Sequence, residues 1–181
     1  MLLGLKRGSV QLVEHQEGWH KLAAEAIDII KAILHTVVID VQHVGSTAIR
    51  GIHAKPIIDI AVGVKKVDDV KPYVDVLQKA GIVYRKQDVE GQILFVMGDF
   101  ANDFRTHHIH VVQWNSEEWN NYINFRDYLN TFPEKARIYD QLKCSLAEQF
   151  AGDRGSYTRR KQELIGRLLT EAAIWRKANM Q

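Results

Sequence analysis

The residues best suited to chemistry fall in two stretches of the chain. In "VQHVGSTAIRGIHAKPIIDIAVGV" (41–64), Gly45-Ser46-Thr47 follows a strand-like run and Asp59 stands inside a second one. Glycine lets a backbone approach closely or take positive φ, and exposed N–H groups beside a serine hydroxyl can hold a phosphate. Lys55, at the mouth of the second strand, can serve the same phosphate as a point charge. Asp59 interrupts an apolar run, and a buried carboxylate has to be hydrogen-bonded, paired or bound to a metal. Strand alternation puts Asp59, Ala61 and Gly63 on one small-sided face that can floor a pocket. It puts Ile58, Ile60 and Val62 on the other.

The second stretch is "THHIHVV" (106–112). His108 and His110 share a strand face with Cα atoms about 7 Å apart, which suits two ligands for one metal or two donors for one anion. His107 is expected to point the other way, with Ile109 and Val111. If the strands adjoin, Asp59 completes a two-histidine, one-carboxylate set suited to zinc, iron or manganese; a structural pairing of the histidines is the alternative. Further on, "FRDYL", "YDQLK" and "GSYTRRKQE" each set an aromatic residue beside a cation. Tyr157 and Lys161, four apart, share a helix face. Arg126, Lys143, Arg154 and Lys161 converge on an anion if these helices pack over the sheet; otherwise they are solvated charges.

The elements that must position these groups follow from periodicity. Residues 17–34 place Trp19, Leu22, Ala23, Ala26, Ile30 and Ile33 on one helical stripe. "TVVIDVQH" (36–43) alternates as a strand with Val37, Ile39 and Val41 on one side, and 55–64 reads as a strand covered on both faces. Residues 68–80 suit a helix stopped by Gly81, and "IVYRKQ", "GQILFVMG" and "THHIHVVQW" read as strands. Asn115 with Glu118 marks a helix start. Pro133 opens a second helix with Ala136, Tyr139, Leu142 and Leu146 inward, and a third runs from about Ser156 with Leu164, Leu168, Ala172 and Trp175 as its stripe. The fold class predicted is α/β (α+β): a mixed sheet unit over 1–114, with roughly three C-terminal helices over 115–181 packed on it as one structural domain.

Composition narrows the function. The chain of 181 residues carries a net charge of only +2, with no basic tail, so nucleic acid is not indicated as a partner. A single cysteine, Cys144, forms no intramolecular disulfide, and a reducing compartment is expected. The apolar N-terminal start is too short for a signal-peptide core, and no stretch has the length of a membrane span. A cytoplasmic protein that makes no membrane contact is expected.

Taken together, "HVGSTAIRGIHAKPIIDIAV", "THHIHVV", "FRDYL" and "SYTRRKQELI" closely resemble the GrpB family, also called UPF0157, from about Val10 to Leu169. The resemblance implies the nucleotidyltransferase fold of the DNA polymerase β superfamily, and a link to coenzyme A metabolism through fusion to dephospho-CoA kinase in some bacteria. It places Gly45-Ser46 at the superfamily's phosphate-cradling turn and Asp59 at its first metal carboxylate. The second carboxylate is expected at position 61, where this chain has Ala61; for the third, a later strand offers His108 and His110. Arg50 stands where proline is more usual in the family, and Gln42 where glutamate is common.

Two-metal phosphoryl transfer relies on a shared carboxylate bridge, and one aspartate with histidines makes a poor magnesium cage. A zinc, manganese or iron ion therefore fits better than two magnesium ions. Three readings stay open: a divergent nucleotidyltransferase, a non-catalytic module binding a nucleotide or CoA-like ligand, and a histidine-centred phosphohydrolase on the same scaffold.

Overall fold

The structure, a computed structural model, describes residues 2–85 and 91–179. Helix α1 (Gly18–Ile33) buries Trp19, Ala23, Ala26 and Ile30 of the stripe that the periodicity predicts, with Leu22 and Ile33 partly buried. It leads into β2 (Val38–Val44), and β3 (Ile58–Val64) follows through a loop opened by a 3-10 turn over Ser46–Ala48. Along β2 the simple alternation fails. The register slips between Val38 and Asp40, and Ile39 is half exposed instead of sharing a buried face with Val41. A bulge of this kind re-aims the side chains on one side of it.

The helix expected over 68–80 is divided. A 3-10 stretch over Val67–Tyr73 contains Pro72, and only Val74–Lys79 is α-helical, here α2. Proline lacks the N–H that an α-helix would use at that position. Strands β4 (Val83–Arg85), β5 (Gln92–Met97) and β7 (His107–Gln113) complete a five-stranded sheet in the order β2-β3-β7-β5-β4. The strand predicted over "IVYRKQ" lies outside the described residues in its last two positions. Two short strands, β1 (Leu5–Lys6) and β6 (Phe104–Arg105), pair with each other and tie the N-terminal segment down.

The sheet is mixed: β3 runs parallel to β7, while β2–β3, β5–β7 and β4–β5 are antiparallel. One face buries Ile58, Ile60, Val62, Ile109 and Val111 against α1 and α2. Each such side chain, fully buried, stabilises the fold by roughly 1.5–3 kcal/mol. The other face is covered by the C-terminal helices α3 (Glu117–Thr131), α4 (Pro133–Gln149) and α5 (Arg154–Asn179). Trp119 of α3 packs on Val44, Ala61 and Val112. Gly63 is required there, since a Cβ would stand 2.9 Å from Trp114 and 3.0 Å from Trp119.

The cap of α3 falls one residue later than Asn115. Ser116 Oγ accepts from the Trp119 N–H at 3.3 Å, while Asn115 takes φ +60° in the preceding turn. Pro133 opens α4 as predicted, and Tyr128, Leu129, Ala136, Tyr139, Leu164, Leu168 and Ala172 knit the three helices into a second core.

Candidate functional site

The pairing of β3 with β7 brings the two chemical stretches together. Asp59 lies opposite His108 in the ladder, and Ala61 lies opposite His110. Asp59 Oδ1 is 3.3 Å from His108 Nδ1 and 3.5 Å from His110 Nε2. Burial pushes the Asp59 pKa up, but the two imidazoles outweigh it and hold the carboxyl well below the usual carboxylate range. Asp59 is therefore an anion at any ordinary pH. His107 points to the opposite face, as strand parity requires; it is buried, and burial pulls its pKa down to about 4.

The far side of His110 is fixed in turn. Its Nδ1 lies 3.0 Å from Gln92 Nε2, and the Tyr122 hydroxyl donates to Gln92 Oε1 at 3.4 Å. The Tyr122 and His110 ring centroids are 5.1 Å apart. Supporting contacts of this kind orient a metal-ligating histidine and set which nitrogen is free.

Gly45 takes φ +71°, a conformation that favours glycine, and a Cβ there would lie 2.8 Å from the Asp59 Cβ and closer still to its Oδ2. The turn is thus pressed directly against the carboxylate. Ser46 Oγ is 3.4 Å from the Tyr139 hydroxyl. Thr47 is buried and bonds to His43 Nε2 at 2.9 Å, so it shapes the turn from behind rather than lining a cavity.

Two cavities meet at Ser46, Asp59 and Lys161. The larger, about 400 Å³, runs under α3 and α5 and is walled by Tyr122, Phe125, Ile165 and Leu169, with Gln92, Glu118 and Asn121 as polar groups. The smaller, about 230 Å³, is lined by Lys55, Lys143, Arg154 and Lys161 around Tyr157, with Asp59 as its carboxylate. Lys55 Nζ stands 4.5 Å from the Tyr157 ring centroid and Lys161 Nζ 5.2 Å from it, so two ammonium groups contact the same ring. Burial, then Lys161 and Arg154, pull the Lys55 pKa down to about 8 against the opposing pull of Asp59. Lys161 is lowered chiefly by burial. Four cationic side chains thus line one cavity with a single carboxylate, which gives it a positive local potential.

Lys143 is buried, and its pKa falls to about 8 through burial, with Asp140 pulling the other way. It donates to the His53 carbonyl and lies 3.6 Å from Asp140, so it borders the cationic cavity while holding the loop before Lys55. Arg126 does not join the cluster. Its guanidinium donates to Gln42 Oε1 and the His43 carbonyl, both at 2.9 Å, and to Asp127 at 2.8 Å. It ties α3 to β2.

Several lining residues were not singled out from sequence: Gln92, Glu118, Asn121, Tyr122, Ile165 and Leu169. Gln92 alone had a signal, because parity with buried Ile93 and Phe95 puts it on the face of His110. The others come from helices whose packing angle no local pattern encodes.

The GrpB protein family profile matches residues 9–171. The glutamate-rich protein GrpB of Alkalihalophilus pseudofirmus is 39% identical over 94% of this chain and 99% of its own length. A UPF0157 protein of Pseudomonas aeruginosa is 32% identical over 90% of this chain and 67% of its own. Among solved structures, the conserved protein GrpB from Enterococcus faecalis superposes with a TM-score of 0.82 at 30% identity, covering 90% of this chain and 96% of that one. The Cid1 poly(U) polymerase superposes with a TM-score of 0.53 at 12% identity, over 75% of this chain and 44% of its own, a likeness of fold alone. The fold is nucleotidyltransferase-like, and the chain belongs to the GrpB family.

Proposed function

We propose that this protein binds a nucleotide or another phosphate-containing ligand in the double cleft, together with one divalent transition-metal ion. The observation that carries this reading is the meeting of the two cavities at the Gly45-Ser46 turn and Asp59. The phosphate belongs among Lys55, Arg154 and Lys161, beside the Ser46 hydroxyl. The base, or an equivalent apolar body, belongs against Tyr122, Phe125, Ile165 and Leu169, with Glu118 and Asn121 within the same wall.

The donor set decides which metal the site suits. Asp59, His108 and His110 offer ligand atoms within 4.8 Å of one another, in a mixture of imidazole and carboxylate that suits zinc, manganese or iron. A pair of magnesium ions demands bridging oxygen ligands, and Ala61 supplies none. Asp59, His108 and His110 would hold a single ion, whose chemistry there is that of a Lewis acid on a phosphoryl oxygen. The chain's own residues do the rest: Lys55 and Lys161 bind and orient the phosphate, Asp59 balances their charge, and the aromatic wall excludes water.

Retained transfer chemistry would make this a divergent nucleotidyltransferase; without turnover the same site is a ligand-binding module. The family's fusion to dephospho-CoA kinase favours CoA precursors among the first ligands to try. The test is thermal stabilisation of tag-free protein across nucleotides and CoA precursors, with and without zinc or manganese, alongside chromatographic detection of turnover. A shift in Tm that grows with ligand concentration, and that Lys55→Met and Lys161→Met remove, is expected. If no phosphorylated compound shifts Tm or is consumed, the reading fails.

A further inference from the structure

On the α1 side of the sheet, away from the cleft, a second group of ligand-type side chains comes together within six residues of sequence. His15, Glu17 and His20 each offer one donor atom, and the three atoms lie within 4.8 Å of one another. The Glu17 carboxylate is 3.7 Å from His15 Nε2. Donors around one zinc ion stand ~3.3 Å apart, given zinc–nitrogen distances of roughly 2.0–2.1 Å. Contraction by up to ~1.5 Å per pair would bring these three to that spacing.

The polar bookkeeping of these histidines bears on the cluster, and His43 Nδ1 and His107 Nε2 are buried and unpartnered as well. His15 is nine-tenths buried in its side chain, and neither of its ring nitrogens has a hydrogen-bond partner. His20 Nε2 is likewise buried and unpartnered. Native structures rarely leave such groups unpaired. Glu17 is the N-cap of α1 but makes no side-chain capping bond, and its side chain is 83% exposed. Apart from its contact with His15, its carboxylate is open to solvent, which gives an ion a way in. An ion pair between His15 and Glu17 alone would leave His20 Nε2 orphaned; a metal ion takes a lone pair from both imidazoles. The contrast with His53, Asp140 and Cys144 is instructive. That group also lies within ligand distance, but His53 Nδ1 already pairs with Asp140 at 2.9 Å.

We propose that His15, Glu17 and His20 form a second divalent-metal site, of a class suited to zinc, with solvent completing the coordination. The segment is held in place for this, since Gln16 Oε1 accepts from the Leu2 N–H at 2.8 Å and the Trp19 indole donates to the Leu2 carbonyl at 3.1 Å. The site lies behind the phosphate turn. The His20 ring is 5.2 Å from that of His43, whose Nε2 pairs with Thr47 of the turn at 2.9 Å. A metal here braces the N-terminal segment against α1 and the back of that turn, and takes no part in chemistry at Asp59.

The test uses the full, tag-free chain carrying Asp59→Asn and His110→Asn, so that the cleft no longer contributes. After dialysis against zinc, one equivalent is expected to remain by elemental analysis, and to be lost when His15→Gln and His20→Gln are added. Cobalt in its place is expected to give visible d–d bands without sulfur-to-metal charge transfer. A background variant that holds no zinc overturns the proposal. So does an equivalent that survives loss of both histidines, or a thiolate charge-transfer band, which would point to Cys144. Should the histidine variants fail to fold by circular dichroism, Glu17→Gln, exposed and outside the core, decides the matter. It is expected to weaken zinc binding ~10-fold or more, and an unchanged affinity overturns the proposal.

Discussion

The two cavities that meet at Asp59 are built on different principles. The smaller one is defined by charge: Lys55, Lys143, Arg154 and Lys161 surround one carboxylate and one tyrosine ring. The larger is defined by shape, with Tyr122, Phe125, Ile165 and Leu169 as its apolar wall. Buried cations that lower one another's proton affinity leave the small cavity costly to keep without an anion, whereas the large one loses little when open to water. Affinity is therefore expected to be concentrated at the phosphate end, and discrimination between ligands at the apolar end.

The comparison breaks first at Asp59, where both cavities meet. Asp59→Asn keeps the shape but removes the charge, and metal affinity at this site is expected to fall ~100-fold or more, measured by zinc or manganese titration. Undiminished binding would remove Asp59 from the metal set. At the charged end, Lys55→Met and Lys161→Met are each expected to lower affinity for a nucleotide by ~10- to 100-fold, the span of one lost charge-assisted hydrogen bond. Binding of the matching nucleoside should be unchanged by calorimetry. Equal losses for nucleotide and nucleoside would place the phosphate elsewhere.

A gentler probe of the same end is pH. Lys55 has its pKa lowered to about 8 and loses its charge progressively around that value, so anion affinity is expected to fall as pH rises from 7.5 to 9.5, with proton uptake on binding at the upper end. The nucleoside supplies the flat reference. The smallest effect is expected at the apolar end. Leu169→Ala should reduce nucleotide affinity ~5-fold, about 1 kcal/mol, the scale of small changes in an apolar pocket, and leave pyrophosphate affinity untouched. A loss shared by pyrophosphate would show the two ends are not separable.

Much of this arrangement was legible in the sequence. Parity along β3 set Asp59 opposite Ile58 and Ile60, and parity along β7 set His108 and His110 together opposite Ile109 and Val111, the face that the core buries. The Trp19–Ala23–Ala26–Ile30 stripe and Pro133 placed α1 and α4. These are local properties, since a period of two or 3.6 is written in consecutive residues. The failures were local too, where a single residue upset the period: the bulge before Asp40, Pro72 within an expected helix, and Ser116 capping in place of Asn115.

The sequence by itself determined the chemical inventory: one carboxylate on a small-sided strand, a glycine-serine turn, an H-x-H strand and a cation-rich last helix. Only the tertiary structure decided that β3 and β7 are parallel neighbours, so that Asp59 meets both histidines. It also decided that Arg126 is consumed by Gln42 and His43, while Lys161 is free to face Asp59 across the cleft. The physical reason is that strand order and helix packing are settled by burial summed over the whole chain. No short stretch contains that sum, and so no spacing within it can reveal which distant side chains will share a cavity.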